Sequence, residues 1–491
     1  INILGLKAVA LGDLGETAAA KAALLDVIER EPEFAKPHED LGILLLNAGQ
    51  IADALPLLKR AVELDPSLVA ANYHLGRALA IMADHQQAAS AYRRCVELSP
   101  DFSAAWLALG RELHTLGRIE ESIAAYRRCL ELDHRAGEAY YQLSRLKSFK
   151  FGDEDIDTML RIVEGEELAD TSRVNLLFAL GKAFENRHRY QRAWKYFAEG
   201  NATQRKLISY DPVEIEAITS NLVNFFQASY FEQRRAAGCP DRAPIFIVGM
   251  RRSGASLVER IIHSHSQVER SGELPYLENL AQSLNESRVT GKRYPEALTE
   301  LDPRDLYELG EQYIAMAKKH RPEQTPYFTD RRLDNFALVG FIHSILPNAK
   351  IIDVRRHPMD ACVGSLKQLY SRGQPFSYDQ TEIGEYYLQY HRIMRHWDQA
   401  LPGKVLRVHH EKLVSDLEAQ VMNLLAYLDL PWEDNCMNFH ETLRAAPNNR
   451  LRQKPPEKRL GKMGLWRHYE QGLDELKDVL APIIREYEQE L

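Results

Sequence analysis

The sequence predicts a multi-domain protein in which an N-terminal, all-α solenoid precedes a three-layer α/β domain with a parallel sheet. Three observations predict this fold class. Proline recurs every 34 residues in the first part of the chain, at Pro32, Pro66 and Pro100. An apolar run, a glycine-containing turn and an apolar helical pattern follow one another over residues 245–265. Beyond them, short β-branched runs alternate with helical patterns, which is typical of parallel α/β sheets.

The 34-residue period also governs small and large residues of the first part of the chain. The positions that obey it are Gly42, Gly76 and Gly110, and Leu24, Leu58, Tyr92 and Tyr126. Small residues let two helices approach closely, and large apolar residues fill the space between helix pairs. This period is that of tetratricopeptide repeats, whose units are helical hairpins. We therefore predict five to six hairpins over residues 1–206.

A concave face of such an array is predicted to bind a protein or a peptide. The alternative is an array that only scaffolds or dimerises the second domain. Residues 207–242 contain a further helical pattern and end near Cys239-Pro240, so we predict a helical linker there. The α/β domain is then predicted to occupy residues 243–491.

Residues 243–256 read Ala-Pro-Ile-Phe-Ile-Val-Gly-Met-Arg-Arg-Ser-Gly-Ala-Ser and organise the second domain. The apolar run ends at Gly249 and the helical pattern begins at Ala255, which predicts a strand, a tight turn and a helix. In such a turn, backbone N–H groups and the helix N-terminus face an anion, so the segment is a candidate phosphate-binding loop, or P-loop. Nucleoside triphosphatases have lysine directly after the second glycine, where Ala255 stands; Arg251 and Arg252 lie inside the loop instead. ATP or GTP hydrolysis is therefore disfavoured, whereas another phosphorylated nucleotide is not excluded.

The stretch from Pro244 to His265 resembles the 5′-phosphosulfate-binding loop of sulfotransferases that use 3′-phosphoadenosine 5′-phosphosulfate (PAPS). In particular, it resembles bacterial proteins that fuse tetratricopeptide repeats to a sulfotransferase domain, whose relatives include the tyrosylprotein sulfotransferases. The family loop usually reads Pro-Arg-Ser-Gly-Thr-Thr, so one of two hydroxyl ligands is lost here. The resemblance implies that the loop binds the 5′-phosphosulfate and that Arg252 also assists catalysis. The implied cofactor-binding residues are Arg251, Arg252, Ser253, Gly254, Ala255 and Ser256.

Two further matches imply catalytic residues. Glu273 follows Gly272 where the family has Gly-Glu, and this glutamate is the catalytic base of the protein-tyrosine branch. The resemblance thus implies that Glu273 takes the proton of the acceptor hydroxyl. Residues 330–335 match the family's Asp-Lys-x-Pro-x-Asn, with Arg331 replacing the lysine that stabilises the sulfuryl group. A solvated loop glutamate and a surface arginine pair are the alternatives.

Two later segments resemble 3′-phosphate motifs of the family. Residues 356–360 match the start of Arg-x-Pro-x-Asp-x-x-x-Ser, but the family serine falls on Gly364, one residue before Ser365. Residues 459–467 resemble the segment that closes over the 3′-phosphate in cytosolic sulfotransferases; a plain glycine-rich loop is the alternative. The implied 3′-phosphate ligands are Arg356, Ser365, Arg459 and Gly461.

Composition narrows the function classes. A formal net charge of −8 over 491 residues disfavours a nucleic-acid-binding protein. The five cysteines form no Cys-x-x-Cys pair, and adjacent histidines at 409 and 410 would face opposite sides of a strand, so no metal site is predicted. The sequence contains neither an apolar run of membrane-spanning length nor a signal-peptide pattern. From the residues that begin at Ile1, we therefore expect a cytoplasmic protein.

These features predict the metal-free transfer of a sulfuryl group from PAPS to a hydroxyl of a protein tyrosine or a glycan. Adenosine 3′,5′-bisphosphate (PAP) would be the second product. Arginines and backbone N–H groups would take the place of a metal ion. Two rival functions stay open, a tetratricopeptide adaptor with a degenerate, catalytically weak domain and an unusual P-loop kinase. The acceptor and the oligomeric state also stay open.

Overall fold

The computed structural model describes the following residues: 17–165, 167–234, 237–285, 291–371, 373–441 and 463–491. The chain divides into two compact units, the first ending at Thr203 and the second extending from Gln204 to Leu491. The first is helical and the second contains a parallel sheet, so the predicted multi-domain fold class is confirmed.

The first unit is a series of helices joined by short turns. These helices are α1 (Thr17–Arg30), α2 (Ala35–Asn47), α3 (Ile51–Leu64), α4 (Val69–Ile81), α5 (His85–Leu98), α6 (Ser103–Thr115), α7 (Ile119–Leu132), α8 (Gly137–Arg145), α9 (Asp153–Gly165), α10 (Asp170–Asn186) and α11 (Tyr190–Lys206). Among the described residues, α1 precedes five helix pairs, each with a first and a second helix. This number agrees with the five to six predicted hairpins.

The repeated glycines lie where the two helices of a pair touch. A Cβ atom on Gly42 would approach the Leu58 side chain to 2.7 Å, and one on Gly110 would approach the Tyr126 ring to 2.5 Å. Both distances are shorter than any ordinary carbon contact, and Leu58 and Tyr126 are fully buried. The predicted role of the small residues, which is to let paired helices approach closely, is therefore confirmed.

The second unit is built on a five-stranded sheet in which all neighbouring strands are parallel. The strands are β1 (Pro244–Val248), β2 (Val268–Arg270), β3 (Tyr327–Asp330), β4 (Lys350–Arg355) and β5 (Val405–His409). Their order across the sheet is β2-β3-β1-β4-β5. Strand β1 is therefore central, and the carboxyl ends of β3, β1 and β4 lie side by side.

Helices connect and cover these strands. They are α12 (Pro212–Phe225), α13 (Ala228–Glu232), α14 (Ala255–His263), α15 (Tyr276–Ser283), α16 (Pro303–Ala317), α17 (Val339–Ile345), α18 (Pro358–Leu366), α19 (Gln380–Ala400), α20 (His410–Ser415), α21 (Leu417–Tyr427), α22 (Asp434–Met437) and α23 (Asp474–Glu490). Short 3₁₀ segments cover Glu296–Glu300, Lys318–His320, Leu333–Leu338, Pro375–Tyr378 and Leu465–Gly472. Helix α12 contacts α19, so this part of residues 207–242 belongs to the second unit.

Alternating residues of the central strands contact two different helical layers. Ile245 and Ile247 of β1 share one apolar core with residues of α14 and α21. Phe246 points to the other face, where its ring centroid lies 5.5 Å from that of Tyr313 in α16. The three-layer arrangement follows from this alternation. In the part of the chain that the structure describes, no helix has the length and apolar character to cross a membrane.

Candidate functional site

The loop that follows β1 lies at the carboxyl edge of the sheet, next to the ends of β3 and β4. Three of its residues have positive φ angles: Gly249 at 137°, Arg252 at 69° and Gly254 at 101°. The N–H of Ser253 donates to the carbonyl of Met250 at 3.3 Å, and α14 begins directly afterwards. The segment thus has the strand, turn and helix that the sequence predicts.

Gly249 fixes how closely this loop approaches the neighbouring strand. A Cβ atom at this position would lie 2.5 Å from the Val354 carbonyl oxygen of β4, a backbone atom that cannot move aside cheaply. We expect Gly249→Ala to destabilise the second unit by about 3 kcal/mol, because a positive φ and a backbone clash coincide. The melting temperature measures this loss. Gly403→Ala is the matched control, since Gly403 also has a positive φ (74°) but has open space around it; equal losses would contradict the clash.

Two arginines of the predicted nucleotide site lie close together at this edge. Arg356, which follows β4, donates from Nη1 to the backbone carbonyl of Arg252 at 3.4 Å. The stem of Arg252 packs against Gly364 of α18, where an added Cβ would lie 3.2 Å from the Arg252 Cβ. A side chain at position 364 would therefore lie in tight contact with Arg252.

Two buried polar groups near the loop have no hydrogen-bond partner among the described residues. The Ser253 hydroxyl lies within the loop, and the Asn335 side-chain amide lies in the 3₁₀ segment after β3. Each residue is 1% exposed. Because buried polar groups without partners are costly, they are candidates for binding a ligand.

Glu273 lies in a cluster of opposite charges beside the loop. One carboxylate oxygen lies 3.1 Å from Nη1 of Arg331, and the other lies 3.7 Å from Nη2 of Arg251. The Arg331 N–H also donates to the Gly272 carbonyl at 2.9 Å, which joins the glutamate's loop to the end of β3. The structure therefore brings together Glu273, Arg331 and the phosphate-binding loop, and the Glu273 side chain remains 35% exposed.

Glu259 is a charged residue of this cluster that sequence reasoning missed. It lies on α14, and its buried carboxylate accepts hydrogen bonds from Arg331 Nε at 2.9 Å and forms an ion pair with Arg270, also at 2.9 Å. Arg331 is thus held between Glu259 and Glu273. A signal was present in the sequence, because Glu259 stands among apolar residues of a helix whose buried face it shares, and a buried carboxylate needs a cation.

Asp330 anchors the carboxyl end of β3 below this cluster. Its carboxylate accepts hydrogen bonds from the Tyr313 hydroxyl at 2.8 Å and from the N–H groups of Leu274 at 3.2 Å and Arg332 at 3.1 Å. Burial raises the pKa of Asp330 to about 6 in spite of these three donors. Asp330 therefore joins three segments: the loop that contains Glu273, the segment after β3, and helix α16.

The raised pKa of Asp330 predicts a pH effect on stability. The folded protein binds this proton more tightly than the unfolded chain, whose aspartate has a pKa of 3.8. The contribution of Asp330 to stability is therefore greatest below pH 3.8 and is lost as the pH rises to about 6. We expect the melting temperature of the wild type to fall across this window relative to that of Asp330→Asn, which cannot ionise. A constant difference between the two proteins would contradict the prediction.

The segment that contains Gly464 and Trp466 lies beside Arg356. The Asp360 carboxylate accepts hydrogen bonds from the N–H groups of Gly464 at 2.7 Å and Trp466 at 3.1 Å, and from Arg356 Nη2 at 3.4 Å. Of the predicted 3′-phosphate ligands, Arg459 and Gly461 lie outside the described residues. Ser365 lies in α18 and is only 2% exposed. Its assignment and those of Arg459 and Gly461 stay predictions.

His410, the first residue of α20, packs against the phosphate-binding loop. A Cβ on Gly254 would approach Nδ1 of His410 to 2.7 Å, so glycine leaves room for the imidazole. Burial, together with the charge of Arg356, lowers the pKa of His410 to about 4, and the ring is therefore neutral at pH 7. Within the described ranges, no three His, Cys, Asp or Glu side chains are grouped so that they could hold a metal ion.

Comparisons with known proteins agree with this architecture. The sequence profile of the sulfotransferase family matches residues 244–434. Profiles of the tetratricopeptide repeat match residues 6–68, 39–83, 69–102 and 103–135. An uncharacterized protein of Aquifex aeolicus (strain VF5) is 28% identical over 349 residues, which cover 70% of this chain and 46% of that protein. The chain thus matches about half the length of this relative.

Two solved structures resemble part of the chain. MamA is 21% identical with a TM-score of 0.29, over 41% of this chain and 97% of MamA. YrrB, a tetratricopeptide-repeat protein with an unusual peptide-binding site, is 20% identical with a TM-score of 0.31, over 37% of this chain and 92% of YrrB. On the strength of the family profiles and the described fold, the chain carries tetratricopeptide repeats in its first unit and a sulfotransferase-family domain in its second.

Proposed function

We propose that the second unit transfers a sulfuryl group from PAPS to an acceptor hydroxyl, and that the repeats bind a protein or peptide partner. The observation that carries this proposal is the contact between Arg356 and Arg252 beside a loop that begins an α-helix. Parallel α/β sheets bind ligands at this edge, and arginine binds phosphate and sulfate through paired, charge-assisted hydrogen bonds. One nucleotide with an anionic group at each end fits two neighbouring arginines.

The residues of the loop have the chemistry to hold a phosphosulfate. Backbone N–H groups from Ser253 to Ser256 lie at the start of α14, the buried Ser253 hydroxyl lacks a partner among the described residues, and Arg252 is exposed. Helix N-termini and oriented amides stabilise such anions. Arg356 would bind the 3′-phosphate. When bound, PAPS supplies the sulfuryl group, which passes to the acceptor oxygen as the bond to the 5′-phosphate breaks.

Glu273 is the base in this proposal. Its carboxylate is oriented by Arg331 and Arg251 and remains accessible to an acceptor. A base within reach of the acceptor hydroxyl removes the proton as the acceptor oxygen gains its bond to sulfur. Positive charge on the loop stabilises the negative charge that develops on the sulfuryl oxygens and on the leaving phosphate. We assign this stabilisation mainly to Arg252, with Arg331 contributing.

A second function, an adaptor whose sulfotransferase domain turns over slowly, is favoured by the contacts of Arg331. This arginine already forms ion pairs with Glu259 and Glu273, at 2.9 Å and 3.1 Å. Its charge is thus shared between two carboxylates, and less of it is available to a sulfuryl group. Lysine in the family motif is a compact charge, whereas the arginine fork can serve both carboxylates at once.

Incubation of the full chain with radiolabelled PAPS and two acceptor sets, tyrosine-containing peptides and glycans, tests the proposal. We expect label on one of the two sets without added metal. An adaptor would bind peptide and PAP without transferring label. Transfer of phosphate from ATP in the presence of magnesium would instead show a kinase and overturn the proposed reaction.

A further inference from the structure

Three arginines occupy the same position in the first helices of successive pairs in the first unit. Arg77 lies on α4, Arg111 on α6 and Arg145 on α8. Each directly follows a small residue of the repeat, and the glycines before Arg77 and Arg111 let their helices contact the second helix of the pair. The same position in each first helix places the three side chains on one face of the array. We call this set the arginine column.

Two tyrosines of the second helices alternate with the arginine column. The charges of Arg77 and Arg111 both act on the Tyr92 phenol, and those of Arg111 and Arg145 both act on the Tyr126 phenol. Burial raises the pKa of both phenols, so each keeps its proton and remains a donor. The Tyr126 hydroxyl is buried beside the Ser122 hydroxyl, with which it interacts, and the charge of Glu138 also acts on it. Both tyrosines are buried, so the arginines are the groups of this face that a partner can reach.

Acidic side chains compensate the arginine column only in part. Arg111 pairs with Glu138 at 3.0 Å, whereas Arg77 donates to Nδ1 of His74 at 3.0 Å. Burial, with the charges of Arg77 and a nearby lysine, lowers the pKa of His74 to about 4, so this partner is neutral at pH 7. Arg145 contacts only the side-chain amide of Gln142, at 3.3 Å, and the Tyr141 ring in the described part of the chain.

A second set of arginines in the same array is neutralised by glutamates. Arg60, Arg94 and Arg128 follow the same 34-residue period on the second helices α3, α5 and α7. Each pairs with a glutamate three residues further on, at 3.4, 3.3 and 2.8 Å. The arginine column lacks such glutamates, because positions 80, 114 and 148 are Ala, His and Ser. The first helices therefore carry two arginines, Arg77 and Arg145, without an acidic partner among the described contacts, whereas the second helices carry arginine–glutamate pairs.

We propose that the arginine column binds an extended, acidic segment of a partner protein. This inference rests on the proposed role of the repeats in binding a protein, and it names the chemistry of that partner. Packed helices lie about 8–10 Å apart, and an extended peptide advances about 3.3 Å per residue. A carboxylate at every third residue of the segment therefore meets successive arginines.

Fluorescence anisotropy of the full chain tests this assignment. The probe is a labelled peptide with glutamate at every third position, and the comparison peptide has lysine at the same positions. We expect binding of the glutamate peptide only, with an affinity that falls as salt is added. The double variant Arg77→Ala/Arg145→Ala should bind about tenfold more weakly or worse, since two charged hydrogen bonds are lost. The matched control Arg60→Ala/Arg94→Ala should bind as the wild type does.

Several results would overturn the proposal. These are binding of both peptides alike, equal losses in the column and control variants, and no loss in the column variant. Equal binding of a single-stranded oligonucleotide with the same number of charges would also overturn it, because the column would then be a general polyanion site. Melting temperatures show whether each variant folds. The PAP affinity of the wild-type chain, measured in parallel, separates this inference from the proposed reaction. If the chain binds the peptide but not PAP, the result counts against the transferase alone.

Discussion

Glu273→Gln is expected to lower kcat for sulfuryl transfer by about 10²–10⁴-fold while leaving PAP affinity unchanged. Glutamine has the size of glutamate, and its side-chain oxygen can still accept the hydrogen bond from Arg331 at 3.1 Å. The arrangement of the loop is thus retained. However, an amide cannot take up the acceptor proton at neutral pH, so the effect falls on the chemical step. Single-turnover transfer assays and calorimetry with PAP measure the two quantities separately.

Glu278→Gln is the matched control for this prediction. Glu278 lies on α15, close in sequence to Glu273, and pairs with Arg332, which is not part of the proposed reaction. We expect turnover within about twofold of the wild type, since this partly exposed ion pair lies outside the proposed reaction. A turnover of Glu273→Gln within tenfold of the wild type would show that another group takes the proton.

Arg356→Ala is expected to weaken PAP binding by about ten- to a hundredfold. Charge-assisted hydrogen bonds to phosphate contribute roughly 1.5–3 kcal/mol each, and the arginine would supply at least one of them. The PAP affinity of Arg356→Lys should lie between those of Arg356→Ala and the wild type, because lysine keeps the charge but cannot bind through two parallel hydrogen bonds. Calorimetry with PAP measures all three proteins.

The control for Arg356 is Arg304→Ala on α16, since Arg304 is 85% exposed and pairs only with Glu308 among the described contacts. It should bind PAP as the wild type does. Arg356 also contacts Asp360 and the Arg252 carbonyl, so melting temperatures must show that Arg356→Ala remains folded. A folded Arg356→Ala that binds PAP with wild-type affinity would contradict the assignment of this arginine to the 3′-phosphate.

Local patterns in the sequence were sufficient to predict most of the architecture. The 34-residue period predicted that the small residues let paired helices approach closely, and the structure shows that the residue met by Gly110 is Tyr126 of the same helix pair. Short strand-like runs predicted four of the parallel strands, β1, β3, β4 and β5, whereas the three-residue strand β2, which contains Glu269 and Arg270, was not predicted. Both signals are repeated or continuous along the chain, so they can be read without knowledge of distant contacts.

Contacts between distant segments could not be predicted in the same way. Glu259 and Arg331 are far apart in sequence, and their pairing depends on α14 and the end of β3 meeting at one edge of the sheet. The packing of Arg252 on Gly364 likewise requires that the loop and α18 lie together. From the sequence, Gly364 and Arg331 are departures from a motif. In the structure Arg331 pairs with Glu259 and Glu273, and Gly364 lies against Arg252.

The charge of the first unit illustrates the same limit. The period identifies Arg77, Arg111 and Arg145 as equivalent, but it does not show which arginines are compensated. Pairing three residues apart on a helix can be anticipated, as for Arg94 and Glu97. The neutral state of His74 cannot, because it follows from burial and from neighbouring charges on other parts of the array.

Titration of the wild-type chain with PAP by calorimetry, with and without magnesium, tests most directly whether the loop after β1 holds this nucleotide. The account predicts one site per chain with a Kd in the micromolar range or below that magnesium does not alter. Absence of binding heat at a hundred micromolar PAP, or binding that appears only with magnesium, would contradict it.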